Sequence, residues 1–245
     1  MNESLVGRKV LITGASSGIG AAVAEAIVGA GGTVALLARS ADTVAAQADR
    51  LGEAAIAAPA DVTDADAVAA AIGDAAERLG GIDAVVCSAG IVRPGGILES
   101  SPDDWQTMFD VNVLGVLNTV HGAIDRLRAS DHADVVVVSS MSGRRHSSVA
   151  LGFYSASKFA VHVLSESLRG ELAPEGVRVG IISPGYVDTP IFDEVDDDET
   201  RRQYQEAVTT KGLDPAAVAA QVVHSLAQPA GVGVLEIALM STNQY

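Results

Sequence analysis

The chain has 245 residues, 48% hydrophobic but only 4% aromatic, with 31 Asp and Glu against 16 Lys and Arg for a formal net charge of −15. That composition excludes a wholly disordered chain and suffices for one large domain with a substantial core. The negative charge argues against nucleic acid and anionic membrane as partners. In chain order, short apolar runs alternate with longer helical patterns. Lys9 to Thr13 reads as a strand and Gly18 to Gly31 as a helix. Thr33 to Ala38 is a second strand, followed by an alanine-rich helix from Ala41 to Leu51. Ala55 to Ala60 is a weaker third strand, with a helix from Asp64 to Leu79. Ala84 to Cys87 is a fourth strand, and a long helical region covers Pro102 to Ala129. Ala133 to Ser139 is a fifth strand, Phe153 to Ala173 a helix, Val177 to Ile182 a sixth strand and Val234 to Leu239 a short seventh. Repeated β-α-β units of this kind predict a single doubly wound α/β domain: a seven-stranded parallel sheet with helices on both faces. Tyr186 to Gly212 contains the longest segment without a clear strand and an acidic run from Asp193 to Glu199. It reads as a mobile loop, a lid over a substrate.

Tyr154 and Lys158 lie four residues apart at the start of a strongly helical stretch. That spacing puts a phenol and an ammonium on one helix face, a turn apart. A phenol has a pKa of about 10, and a neighbouring cation lowers it. Such a pair is a proton donor and acceptor for an alcohol or a carbonyl. Upstream, Thr13-Gly14-Ala15-Ser16-Ser17-Gly18-Ile19-Gly20 follows the first strand and opens the first helix. Glycines there permit a tight turn and close approach to a pyrophosphate, and the helix N-terminus supplies free N–H groups. Gly14, Ser16, Ser17, Gly18, Ile19 and Gly20 are therefore candidate cofactor contacts. The second strand ends Ala38-Arg39-Ser40, with no acid to bind a ribose 2′-hydroxyl and an arginine able to accept a 2′-phosphate. Arg39 and Ser40 point to NADP(H). A solvated arginine stacked on adenine, with NAD as cofactor, is the competing reading.

The spacing Gly-x-x-x-Gly-x-Gly, followed by Tyr-x-x-x-Lys, resembles the short-chain dehydrogenase/reductase family. The resemblance runs from about Lys9 to the C-terminus and implies a Rossmann-type fold. It selects Ser140, in Ser139-Ser140-Met141-Ser142-Gly143, as a catalytic serine orienting the substrate oxygen toward Tyr154. Asn112 then holds a water linking Lys158 to a proton path. Lys158 also binds the nicotinamide ribose. Asp61 and Val62 become adenine contacts, and Pro184, Gly185, Val187 and Thr189 fix the nicotinamide. Where the family's fourth strand normally ends Asn-Asn-Ala-Gly, this chain has Cys87-Ser88-Ala89-Gly90. Ser88, Ala89 and Gly90 remain cofactor candidates, and Cys87 reads as a packing residue. The implied activity is reversible reduction of a ketone or aldehyde, with hydride from the cofactor and a proton from Tyr154. The ending Leu235 to Gln244 resembles the NADP-dependent branch of 3-hydroxy acid (serine-type) dehydrogenases and clavulanate-type aldehyde reductases.

Ser140, Met141, His146, Tyr154, Tyr186 and Phe192 are the substrate candidates, with Ile91, Val92, Val149, Phe153 and Ile191 as further apolar wall. Arg144, Arg145 and His146 form either a carboxylate site or a solvated turn. Cys87 is the only cysteine, so no intrachain disulfide forms and a reducing, cytoplasmic setting is expected. Met1 to Lys9 has no apolar secretory core. No run of about 18 apolar residues predicts a membrane span, and Cys and His are too scattered for zinc, so no metal is expected. The resemblance implies a homotetramer, or a dimer. A non-catalytic dinucleotide sensor is the alternative of another class, and retention of Tyr154 and Lys158 counts against it.

Overall fold

The computed structural model describes residues 4–146 and 148–244. One seven-stranded sheet, every pairing parallel, has the order β3-β2-β1-β4-β5-β6-β7. The strands are β1 (Lys9–Thr13), β2 (Thr33–Leu37), β3 (Ala55–Ala57), β4 (Ala84–Cys87), β5 (Asp134–Val138), β6 (Arg178–Pro184) and β7 (Glu236–Leu239). Chain direction across the sheet reverses between β1 and β4, which opens a crevice at their C-terminal ends.

Strand residues alternate between two apolar layers. Val10, Ile12, Val86 and Val136 face α1 (Gly18–Gly29), α2 (Ala41–Leu51) and α8 (Pro215–Leu226). Leu11, Val85, Cys87 and Val135 face α3 (Ala65–Leu79), α5 (Gly115–Arg128) and α6 (Gly152–Leu172). Both faces of the sheet are thus covered, as all-parallel sheets require. Side-chain caps start most helices where the sequence places Ser or Asp. Asp64 accepts from the Ala67 N–H at 2.9 Å. Ser101 and Asp104 close a capping box on α4 (Pro102–Phe109), whose first residue is a proline.

Two elements differ from the sequence reading. The helical region from Pro102 is not continuous: a π-helical turn, Asp110–Leu114, separates α4 from α5. Tyr186 to Gly212 holds a 3-10 turn (Pro190–Phe192) and a helix, α7 (Asp198–Lys211). That helix is hard to read because it is strongly polar and buries only Val208. No helix of the described residues is long and apolar enough to cross a membrane.

Candidate active site

The turn after β1 is built for close approach. Gly14 has φ +67°, and a Cβ there would lie 2.8 Å from the Ala89 backbone. A Cβ on Gly20 would lie 2.3 Å from the Gly14 carbonyl oxygen. Only glycine keeps this turn flat enough for a phosphate to reach the backbone. Ser17, at the N-cap of α1, makes no side-chain cap, so the first-turn N–H groups are left for a ligand. Thr13 Oγ1 accepts from the N–H groups of Ser88 and Ala89, both at 3.1 Å. That hydroxyl ties the end of β4 to β1 where Cys87 and Ser88 replace the two asparagines. Cys87 is buried, and burial pushes its thiol up to about 12, which leaves it an inert packing residue.

A groove of about 450 Å³ runs over the crevice. Gly14, Ser16, Ser17, Gly18, Ile19 and Gly20 line it, as do Arg39, Ser40, Asp61, Val62, Ser88, Ala89, Gly90 and Thr189. The glycine cradle, the open helix start and the arginine at the β2 tip fit a dinucleotide. A second cavity of about 400 Å³ abuts the groove and shares Ile19, Ser88, Gly90, Thr189 and Ile191 with it. Ser140, Met141, His146, Tyr154, Lys158, Pro184, Gly185, Tyr186, Val187 and Phe192 line this cleft.

Tyr154 and Lys158 come from the first turns of α6 and face the cleft together. The Tyr154 hydroxyl lies beside Ser140 in the cleft lining, near enough for the serine hydroxyl to lower its pKa. The Ser140 Oγ accepts from the Ser142 N–H at 3.0 Å, which holds it at the tip of β5. Burial pushes the phenol up to about 12, and the Ser140 hydroxyl pulls against that rise. The expected lowering by Lys158 is not found: burial dominates, and the ammonium does not contribute to the shift. The ammonium lies 5.8 Å from the ring centroid and donates to the Val138 carbonyl at 3.2 Å. Burial brings Lys158 itself down to about 8.

Asn112 sits in the π-helical turn, 1% exposed. Its Oδ1 accepts from the Ile91 N–H at 2.8 Å, and its Nδ2 donates to the Ile91 carbonyl and the Ser157 Oγ, both at 3.0 Å. Both amide hydrogens are thus committed to bracing the loop after β4 against α6. Asn112 lines neither cavity. A Cβ on Gly90 would lie 3.3 Å from Asn112 Oδ1 and 3.4 Å from Lys158 Nζ, so glycine leaves room for both groups.

Three wall candidates fall elsewhere. Phe153 packs on Trp105 and Phe109, with ring centroids 5.6 and 5.3 Å away. Val149 is 74% exposed and outside the cleft, and Ile91 faces the groove instead. Of the two arginines, Arg144 is paired with Glu236 at 2.7 Å. Arg145 lines the cleft, where its acceptor is the Met240 sulfur at 3.6 Å. Sequence reasoning missed Gln244, whose Oε1 accepts from the Tyr186 N–H at 3.0 Å and which lines the cleft. It also missed Arg93, Asp193 and Glu194 as groove residues. No motif marks Gln244 or Arg93, and the acidic run that marks Asp193 and Glu194 points to a lid and not to the groove, where only the folded chain brings them.

Comparison with known proteins agrees with this fold. The profile of the short chain dehydrogenase family matches residues 8–200. Glycine betaine reductase ATRR of Emericella nidulans is 36% identical over 236 residues, which cover 95% of this chain but 18% of that protein. The chain thus spans under a fifth of that relative's length. An alcohol dehydrogenase from Thermococcus sibiricus, solved with 5-hydroxy-NADP, superposes with TM-score 0.86 at 30% identity, covering 97% of this chain and 98% of that one. A 3-ketoacyl-(acyl-carrier-protein) reductase from Brucella melitensis, solved with NADH, gives TM-score 0.87 at 25% identity over 99% and 100% of the two chains. The chain belongs to the short-chain dehydrogenase family of oxidoreductases.

Proposed function

We propose that this chain interconverts a ketone or aldehyde and an alcohol using NADP(H), with Tyr154 as the proton donor and acceptor. The observation that carries the reading is the convergence of Tyr154, Ser140 and Lys158 on one cleft that opens into the dinucleotide groove. The nicotinamide, when bound, supplies or accepts the hydride. Ser140 and Tyr154 hold the substrate oxygen. A phenol at about 12 is protonated at neutral pH and suits donation in the reductive direction. In the oxidative direction the Ser140 hydroxyl favours the phenolate against the effect of burial. Asn112 acts as a brace and not as a lining group.

The choice of NADP(H) is supported by Arg39 in the groove and by Ala38 in place of an acid at the β2 tip. The cleft favours an uncharged or anionic carbonyl, because among the described residues no Asp or Glu lines it although the chain carries 31. Val92, Leu151, Ile191, Phe192 and Val208 supply apolar wall for the substrate body. Residues 186–212 serve as the cover of that cleft, with Tyr186, Ile191, Phe192 and Val208 in its lining. Assembly as a tetramer or dimer is supported by exposed apolar residues on α6, Phe159 at 43% and Val163 at 66%, and a reducing cytoplasm by the single, buried cysteine.

The test is NADPH consumption over a panel of ketones, aldehydes and 3-oxo acids, run on the natural chain and on Tyr154→Phe. Turnover of at least one class is expected, with kcat falling about 1000-fold in the variant while the NADPH dissociation constant stays nearly the same. Ordinary turnover by Tyr154→Phe would defeat the assignment.

A further inference from the structure

The acidic run after β6 is left unused by the proposed chemistry. Its first two residues, Asp193 and Glu194, line the dinucleotide groove. Glu194 spans two arginines from two other loops. Its Oε1 lies 3.8 Å from Arg39 Nη2, and its Oε2 accepts from Arg93 Nη2 at 3.3 Å. Arg39 follows β2, Arg93 follows β4 and Glu194 follows β6, so one carboxylate joins three loops across the groove.

The segment carrying Glu194 is anchored on both sides. Phe192 stacks on Tyr204 of α7 at 4.6 Å, and Asp193 accepts from Gln205 at 2.7 Å. Val195 is 4% exposed and packs in the same cluster as Phe192 and Val208. The backbone at residue 194 is therefore held, although the carboxylate itself is 60% exposed.

We infer that Glu194 is a specificity-determining residue for the cofactor: it competes with a ribose 2′-phosphate for Arg39, and so narrows the preference for NADP(H) over NAD(H) that Arg39 confers. The inference rests on the dinucleotide reading of the groove. A 2′-phosphate carries close to two negative charges at neutral pH and must take Arg39 from Glu194 against like-charge repulsion. A 2′-hydroxyl donates a hydrogen bond to a carboxylate and meets no such conflict. The β2 tip lacks its own acid, and the segment after β6 supplies one from the far side. The balance around the site favours the same outcome, since Asp61, Asp193 and Glu194 outnumber Arg39 and Arg93 in the groove lining. Discrimination then comes from a built-in repulsive element opposing an attractive one.

The experiment measures NADPH and NADH dissociation constants by fluorescence titration. The proteins are the natural chain, Glu194→Gln, Arg39→Gln and the double variant. Glu194→Gln is expected to tighten NADPH about 5-fold and to leave NADH unchanged or weaker. Arg39→Gln is expected to weaken NADPH, and in that background Glu194→Gln should give a clearly smaller gain. The gain should also shrink at about 1 M salt, where the Debye length is only about 3 Å. Equal effects on both cofactors, an unaltered or weakened NADPH affinity in Glu194→Gln, or an undiminished gain without Arg39 each overturns the inference and leaves the oxidoreductase reading standing. If the natural chain binds neither dinucleotide, both readings fall together.

Discussion

Lys158 works against its own charge. It is 5% exposed, its ammonium donates to the Val138 carbonyl, and burial brings its pKa from 10.5 down to about 8. Because the folded pKa lies below the unfolded one, the unfolded chain binds that proton more readily. The resulting penalty is full below about pH 8 and fades as pH rises to 10.5, so this group makes stability rise with pH across that window. Lys158→Met should therefore remove turnover yet raise stability at pH 7, by on the order of 1–3 kcal/mol after some loss of packing fit. Urea unfolding at pH 7 and pH 10.5 checks this, and the gain should vanish at the higher pH. A variant less stable than the natural chain at pH 7 would contradict it. The spacing of Tyr154 and Lys158 was readable because one helix turn fixes which face they share. The sense of the tyrosine shift was not, because desolvation depends on walls contributed by β5, β6 and the loops after them.

At the scale of elements, the π-helical turn Asp110–Leu114 does what a regular helix at that place cannot. It lets Asn112 leave the helix surface and meet Ile91 and Ser157. π-Bulges of this kind occur frequently at functional sites. From sequence alone, Pro102 to Ala129 reads as one helix, because an inserted residue leaves the apolar pattern on either side nearly intact. Asn112 stood out as an asparagine in mid-helix and through its resemblance to a family position, but nothing marked Ile91, 21 residues away, as its partner. Asn112→Ala strips both backbone groups of Ile91 and the Ser157 hydroxyl of a buried partner. Leaving such groups unsatisfied costs about 1–3 kcal/mol each when water cannot reach them, so a loss of roughly 2–4 kcal/mol is expected in chemical unfolding. Turnover should fall more steeply than cofactor affinity, because the loop at Gly90 and the Lys158 side chain lose a shared support. Unchanged stability would mean that the three bonds are matched by water in solution. The helix α7 was hard to read because it is strongly polar and buries only Val208, and one of its partners, the turn Thr242–Gln244, is distant in sequence.

Across the whole molecule, the parallel sheet separates chemistry from cohesion. All seven strands end at the edge that carries the groove and the cleft, and the opposite edge holds a charged clasp. Asp134, 4% exposed at the start of β5, accepts from Arg8 Nη2 at 2.6 Å and from Arg178 Nε and Nη2 at 2.7 and 2.8 Å. Arg178 also donates to the carbonyls of Gln228, Pro229 and Val232, which fastens the connection into β7. Arg8 reaches the Leu226 carbonyl at the end of α8. One carboxylate thus gathers β1, β5, β6 and the last crossover. The β-α-β order was legible from apolar periodicity, but this clasp was not, because its members lie 126 and 44 residues apart. Asp134→Ala would leave two guanidinium groups, 11% and 13% exposed, without their counter-charge. Breaking a buried pair in this way costs about 3–5 kcal/mol. Asp134 and Ser140 are separated by six residues of nearly extended chain, about 20 Å, so the loss should not reach the chemistry. The expected result is a large drop in the urea midpoint together with an unchanged kcat/KM at a temperature where the variant remains folded. A parallel fall in kcat/KM under those conditions would show that the two edges of the sheet are coupled, and the division between them would have to be abandoned.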